Sequence, residues 1–184
     1  MATPDPHAIE VLCYYRDAEL HGATLLLRLI KLMDDPDAQV KLALHLHEET
    51  RHAWLWTRRI QELGGVPMRV ADGYQKRIGM RTVPRSLLDL LALTVVVEER
   101  SAACYQEHAA GPGVDEPTLA ILREVTKDEK WHIAWVRGKL MELAKDDGGV
   151  EKAEAAIEKY RQIDAEVYGA LRAKEAAMYG GAVA

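Results

Sequence analysis

Cysteine is nearly absent: the 184-residue chain has two, Cys13 and Cys104. Two thiols cannot make a disulfide framework or a four-thiolate metal centre, so any metal chemistry must rest on other side chains. Long apolar runs are missing as well. Nothing approaches the ~18 residues of a membrane-spanning helix, and Met1-Ala2-Thr3-Pro4-Asp5-Pro6 shows no basic-then-apolar leader. The expectation is a cytoplasmic protein that does not enter a membrane. No stretch alternates in the manner of a strand, and none is of low complexity. An excess of cations is lacking too: 24 Lys and Arg stand against 29 Asp and Glu, a net charge of −5. That balance weighs against wholesale nucleic-acid binding, which needs clustered positive charge.

What the chain does have is helical periodicity. A first amphipathic stretch runs from about His7 to Met33, with Ala8, Leu12, Tyr15, Ala23, Leu26, Ile30 and Met33 on one stripe. Asp34-Asp35-Pro36 opens a second, which ends at Gly64-Gly65-Val66-Pro67. Residues 64–85 carry no clear period. A third helix is expected from Ser86, with Asp89 three positions on as a partial capping pattern, to about His108. A fourth begins at Asp115-Glu116-Pro117 and lasts to about Lys145, and a fifth follows Asp146-Asp147-Gly148-Gly149 and ends near Gly180-Gly181. A helix of ~27 residues is about 40 Å long, and the residues between the second and third helices can span that when extended. The expected fold is all-α: one domain over 1–184, two helical hairpins joined by a long crossover into a four-helix bundle over about 8–145, plus a C-terminal helix over about 150–179.

The polar residues within the apolar stripes carry the chemistry. The second helix holds Glu49-Thr50-Arg51-His52 and the fourth holds Glu129-Lys130-Trp131-His132, the same Glu-x-x-His pattern 80 positions apart. Around Glu49 the same face carries Leu42, Leu46, Ala53, Trp56, Ile60 and Leu63; around Glu129 it carries Leu122, Val125, Ile133, Val136, Leu140 and Leu143. Both pairs therefore point inward, because residues three apart share a helix face. Glu48 falls beside Lys41, Arg51 and Arg59, a face expected in solvent. On the first helix the inward acid is Glu19. On the third it is Glu98 or Glu99, and Glu98 has the more apolar face (Leu91, Val95, Ala102, Tyr105).

Four carboxylates buried together cannot all stay ionised without compensation. Two divalent ions supply four positive charges, and a set of four Glu and two His suits a pair of irons, or manganese, better than zinc. No Arg or Lys lies on the inward stripes to neutralise the acids instead. His47 and His52 are five apart and so do not form a zinc-protease pair.

With these residues the sequence resembles the ferritin-like di-iron superfamily, over roughly residues 8–145. The resemblance implies two iron ions held by Glu19, Glu49, His52, Glu98, Glu129 and His132. Rubrerythrins add an iron domain held by four cysteines, which this chain lacks, so it is similar at most to bundle-only members. Bacterioferritins hold haem through a Met directly after the first motif's Glu; that position is Thr50, so no haem is expected. Glu98-Glu99-Arg100-Ser101 is similar to a Glu-Ala-Arg-Ser stretch of the tRNA-modifying di-iron hydroxylases, which also favours Glu98 as a ligand. The expected function is a di-iron oxidoreductase activating oxygen or peroxide, a hydroxylase or oxidase of a small or nucleotide-like organic substrate, served by an electron-donor protein. Rubrerythrin-like peroxide reduction and ferroxidase or iron-binding activity are the alternatives.

Three further features carry expectations. Between Arg58 and Arg85 lie seven cations (Arg58, Arg59, Arg69, Lys76, Arg77, Arg81, Arg85) and two acids, Glu62 and Asp72, a local +5 suited to a phosphate-bearing or tRNA-like partner. Tyr15 and Tyr105 fall near the inward acids, as core filling or as hydrogen-bond donors. On the fifth helix Ala153, Ile157, Tyr160, Asp164, Val167, Leu171, Lys174 and Met178 follow a heptad spacing. That stripe docks on the bundle, with its two charges at the contact edge, or forms a homodimer seam.

Overall fold

The structure, a computed structural model, describes residues 5–145 and 148–179, and from 174 to 179 only the backbone. The described residues form six helices: α1 (Pro6–Leu32), α2 (Pro36–Glu62), α3 (Tyr74–Arg81), α4 (Leu87–Ala110), α5 (Glu116–Ala144) and α6 (Gly149–Tyr179). Strands are absent among the described residues.

Local chemistry sets the helix starts. The side chains of Asp5, Asp35, Ser86 and Asp115 accept hydrogen bonds from backbone N–H groups at the first turns of α1, α2, α4 and α5. Proline stands at the first or second helical position of α1, α2 and α5, where its missing N–H costs nothing. Ser86 accepts from the Asp89 N–H at 3.0 Å, as the capping pattern suggests.

The bundle is built from the hairpins α1–α2 and α4–α5, which meet along α1–α4 and α2–α5. Two apolar clusters fill it. One takes the C-terminal part of α1 (Leu26, Leu29), the N-terminal parts of α2 (Ala38, Leu42) and α4 (Leu91, Val95), and the C-terminal part of α5 (Val136, Leu140). The other takes the opposite ends: Ile9 and Leu12, Trp56 and Ile60, Tyr105, and Leu122 and Val125. Helix α2 therefore ends at the second cluster, whereas α4 begins at the first. The connection between them must travel the length of the bundle, which is why it is long.

That connection is not structureless. It contains α3, eight residues absent from the sequence expectation. Two turns are too few to establish a periodicity, and Gly79 lowers the helical propensity further. Tertiary contacts hold it instead: Ile78 is buried in the larger cluster, and the Tyr74 hydroxyl donates to Asp164 Oδ1 at 2.7 Å.

Helix α6 docks on the outside of α4, with further contacts to α3 and α5. Ala153, Ile157, Tyr160, Val167 and Leu171 are all buried, so the heptad stripe is consumed within the chain. Positions 174 and 178 of that stripe lie outside the described side chains. Asp164 sits inside the contact and not at its edge, because Arg100 of α4 pairs with both of its oxygens, at 2.9 and 2.6 Å. The extra layer also explains α4, in which residues 91–98 are buried without interruption. A helix covered on every side is apolar on every side.

Candidate metal centre

Between the two apolar clusters lies a polar layer. All six residues singled out by the sequence meet there: Glu19 from α1, Glu49 and His52 from α2, Glu98 from α4, and Glu129 and His132 from α5 are buried to within a few per cent. The choice on α4 falls to Glu98. It lies in the layer, while Glu99 turns outward to a bidentate pair with Arg161.

A seventh residue joins them. His45 of α2 is fully buried, with Nε2 at 3.2 Å from Glu98 Oε1 and 3.5 Å from Glu49 Oε1, and its ring stacks on His132 at 3.6 Å between centroids. It stands four residues before Glu49, one helical turn, so α2 carries His-x-x-x-Glu-x-x-His on a single face. That spacing was the signal available in the sequence. The equivalent position on α5 is Val125, so comparing the two motifs conceals it.

The seven side chains form two groups of possible ligand atoms, each within 4.8 Å of one another: His45, Glu49, Glu98 and His132, and Glu19, Glu49, His52 and Glu129. Glu49 belongs to both. Seven buried nitrogens and oxygens here make no well-aligned hydrogen bond, although some lie close to an opposite charge: His45 Nδ1 and Nε2, Glu49 Oε1, His52 Nδ1, both oxygens of Glu129, and His132 Nδ1. Buried polar atoms are normally satisfied, and a cluster of orphans calls for a ligand.

The outer sides of the imidazoles are held. His132 Nε2 lies 2.9 Å from Glu48 Oε2, and Trp131 Nε1 donates to the same oxygen at 3.0 Å. His52 Nε2 lies 3.2 Å from Asp128 Oδ2, and Arg51 pairs with Asp128. Glu48 is thus no solvent residue, and Arg59 is buried as well, bound to Thr118 and Asp115. Each carboxylate precedes the motif Glu of its own helix and grips the histidine of the other hairpin. Anchoring Nε2 in this way turns Nδ1 inward. On α1, Trp56 Nε1 donates to Glu19 Oε1 at 3.2 Å, and the Tyr105 hydroxyl donates to the same oxygen. Gly22 leaves room for Glu49: a methyl group there would stand 2.2 Å from Glu49 Oε2.

Electrostatics make the layer a proton trap. Burial, reinforced by Glu98 and the other acids, pushes the carboxyls of Glu49 and Glu129 well above the usual range. Burial would depress His45 and His52, but the surrounding carboxylates outweigh it and raise both to about 9. Glu98, facing His45, is drawn down to about 2 despite its burial. His132 is pushed down to about 4, by burial and by the charge on His45 beside it. Protons thus balance charge where cations could.

Among solved structures, the chain is similar to a dodecameric thioferritin, the bacterioferritin-related protein of Bacteroides fragilis. The match has a TM-score of 0.62 and 23% identity, and covers 76% of this chain and 88% of that one. The fold is ferritin-like. Comparison with known protein families gives no match, and neither does comparison with curated protein sequences. Within this ferritin-like bundle the donor set is carboxylate and imidazole alone, which fits hard or borderline cations such as iron and manganese. Cys13 and Cys104 are free and lie outside both groups.

The basic crossover looks different in three dimensions. Arg58 and Arg59 pair with Glu62, Arg77 with Asp72, and Arg81 with Glu166. Glu62 and Asp72 already stand in the local +5, so among the described residues only the pairs of Arg81 with Glu166 and of Arg59 with Asp115 draw on that excess. No described helix is long and apolar enough to cross a membrane.

Proposed function

We propose that the protein is a di-metal oxidoreductase of the di-iron type, which activates oxygen or peroxide for the oxidation of a small organic substrate. The observation that carries this reading is the buried layer of four Glu and three His with seven orphaned polar atoms. Glu19, Glu49, Glu98, Glu129, His45, His52 and His132 would hold the two ions, and a pair of irons so held supplies one- and two-electron chemistry with oxygen or peroxide.

The protein's own residues perform the remaining tasks. Glu49 belongs to both groups and would be shared between the two ions. Glu48 and Asp128 fix the tautomer and angle of His132 and His52. Trp56 and Tyr105 lock one oxygen of Glu19. The two positions are unequal, since the group containing His45 offers two imidazoles and the other offers one. The apolar clusters on either side keep bulk water from the layer.

A second reading, ferroxidase or iron-binding activity within an assembly, is compatible with the dodecameric thioferritin among similar structures. One experiment separates the two. The chain is loaded anaerobically with ferrous iron, the metal is counted, and oxygen or peroxide is then added. The first reading expects about two irons per chain and oxidation that stops there. Iron far above two per chain in a large particle selects storage, and uptake well below two removes the di-metal assignment.

A further inference from the structure

A cavity of about 830 Å³ opens between the N-terminal half of α1, the C-terminal half of α4, and α6. Tyr14, Tyr15, Tyr74, Tyr105 and Tyr168 line it, five of the chain's seven tyrosines. None of the seven Glu and His residues of the metal layer does. Tyr105 is the partition: it faces the cavity, and its hydroxyl donates to Glu19 in the layer behind. Tyr15 packs edge-on against Tyr105, with centroids 4.9 Å apart, and its hydroxyl lies 3.1 Å from His108 Nδ1.

The chemistry of the wall selects a ligand class. Its two arginines are committed, Arg100 to both oxygens of Asp164 and to the face of Tyr168 at 3.9 Å, and Arg172 to Glu107 at 3.0 Å. An anion would have to displace a carboxylate. His108 is half-buried, and that burial lowers its pKa, so it faces the cavity as a neutral imidazole. The carboxylates on the wall are committed too, Asp5 to the first turn of α1, Asp17 to His21, Asp115 to Arg59 and Glu107 to Arg172; beyond these the wall offers aromatic faces with hydroxyl and imidazole groups at their edges. Such a wall suits stacking combined with directional hydrogen bonds, and the volume is that of a small-molecule site.

We propose that this tyrosine-lined cavity binds an uncharged planar aromatic molecule bearing a hydroxyl group. The binding does not rest on the di-metal reading. The test is titration of the full chain, first metal-free, with 2-naphthol, followed by fluorescence and calorimetry. Saturable binding of one molecule per chain is expected, weakened at least tenfold by Ser101→Trp and by Cys104→Trp, two positions on the cavity wall where the larger side chain fills the space and leaves metal uptake unchanged. The two variants guard against misfolding of either one. In the iron-loaded protein, 2-naphthol should shift the visible absorption of the metal centre through Tyr105 and Glu19. Lack of saturable binding, equal binding by the two variants and the parent, or tighter binding of 2-naphthyl phosphate overturns the proposal. Saturable 2-naphthol binding by a chain that takes up no metal keeps the cavity assignment and removes the di-metal reading alone.

Discussion

At the scale of single residues, the layer is set as much by what surrounds its seven Glu and His side chains as by those side chains. Gly22→Ala adds one methyl group where Glu49 Oε2 now lies. It should leave the helical circular dichroism intact and lower metal affinity, read by competition with a chelator, because the shared carboxylate must swing away. Glu48→Gln removes the charge that orients His132. Loss of such a partner typically costs about 10–100-fold in affinity, and Asp128→Asn should do the same through His52. The raised pKa values also fix a pH dependence. With His45 and His52 near 9 in the fold and about 6.5 when unfolded, the native state binds more protons than the unfolded one between these values. The stability these two imidazoles contribute to the metal-free protein is then fully present below about pH 6.5 and lost as pH rises through 9. Melting curves at pH 6 and 9 should show the fall, and saturating metal should reverse it.

The six acids and histidines were legible in the sequence because each interrupts an apolar stripe, where an unpaired charge is conspicuous. His45 was not, since histidine is ambivalent about burial and its counterpart on α5 is Val125. Glu48 and Asp128 escaped for another reason. They sit one position off the inward face, and the histidines they hold belong to the other hairpin, a relation that only the folded packing creates.

At the scale of elements, the four bundle helices announce themselves through caps and periods, whereas α3 and the docking of α6 depend on tertiary contacts. Asp164 joins three of those elements, receiving Arg100 from α4 and Tyr74 from α3. Asp164→Ala leaves a guanidinium and a hydroxyl without their partner and should cost about 3 kcal/mol in urea unfolding. Limited proteolysis should find α6 and the crossover opened first. The heptad spacing of α6 could not distinguish a seam between chains from a seam within one, because both bury the same stripe. The structure places it against α4.

At the scale of the whole molecule, the ferritin-like bundle leaves large apolar side chains on the outward faces of its first hairpin. Leu20 and Leu27 on α1, and Val40, Leu44 and Trp54 on α2, are each at least 41% exposed. Exposed apolar patches of this kind mark association surfaces. Light scattering should find more than one chain per particle, and Leu27→Glu combined with Trp54→Glu should reduce the mass; a monomeric parent protein would remove the expectation.

The crossed grip of Glu48 on His132 and of Asp128 on His52 has a consequence for how the chain is put together. Each hairpin supplies the carboxylate that holds the motif histidine of the other. Half the molecule would carry Glu-x-x-His and still present it loosely, so tight metal capture requires that the halves have already docked. Cut within the 64–73 link, the two fragments should bind metal weakly when apart and regain the intact affinity when mixed. A metal held in this layer would act as a clasp that closes only on a correctly mated pair, and its uptake during refolding would time the mating of the hairpins.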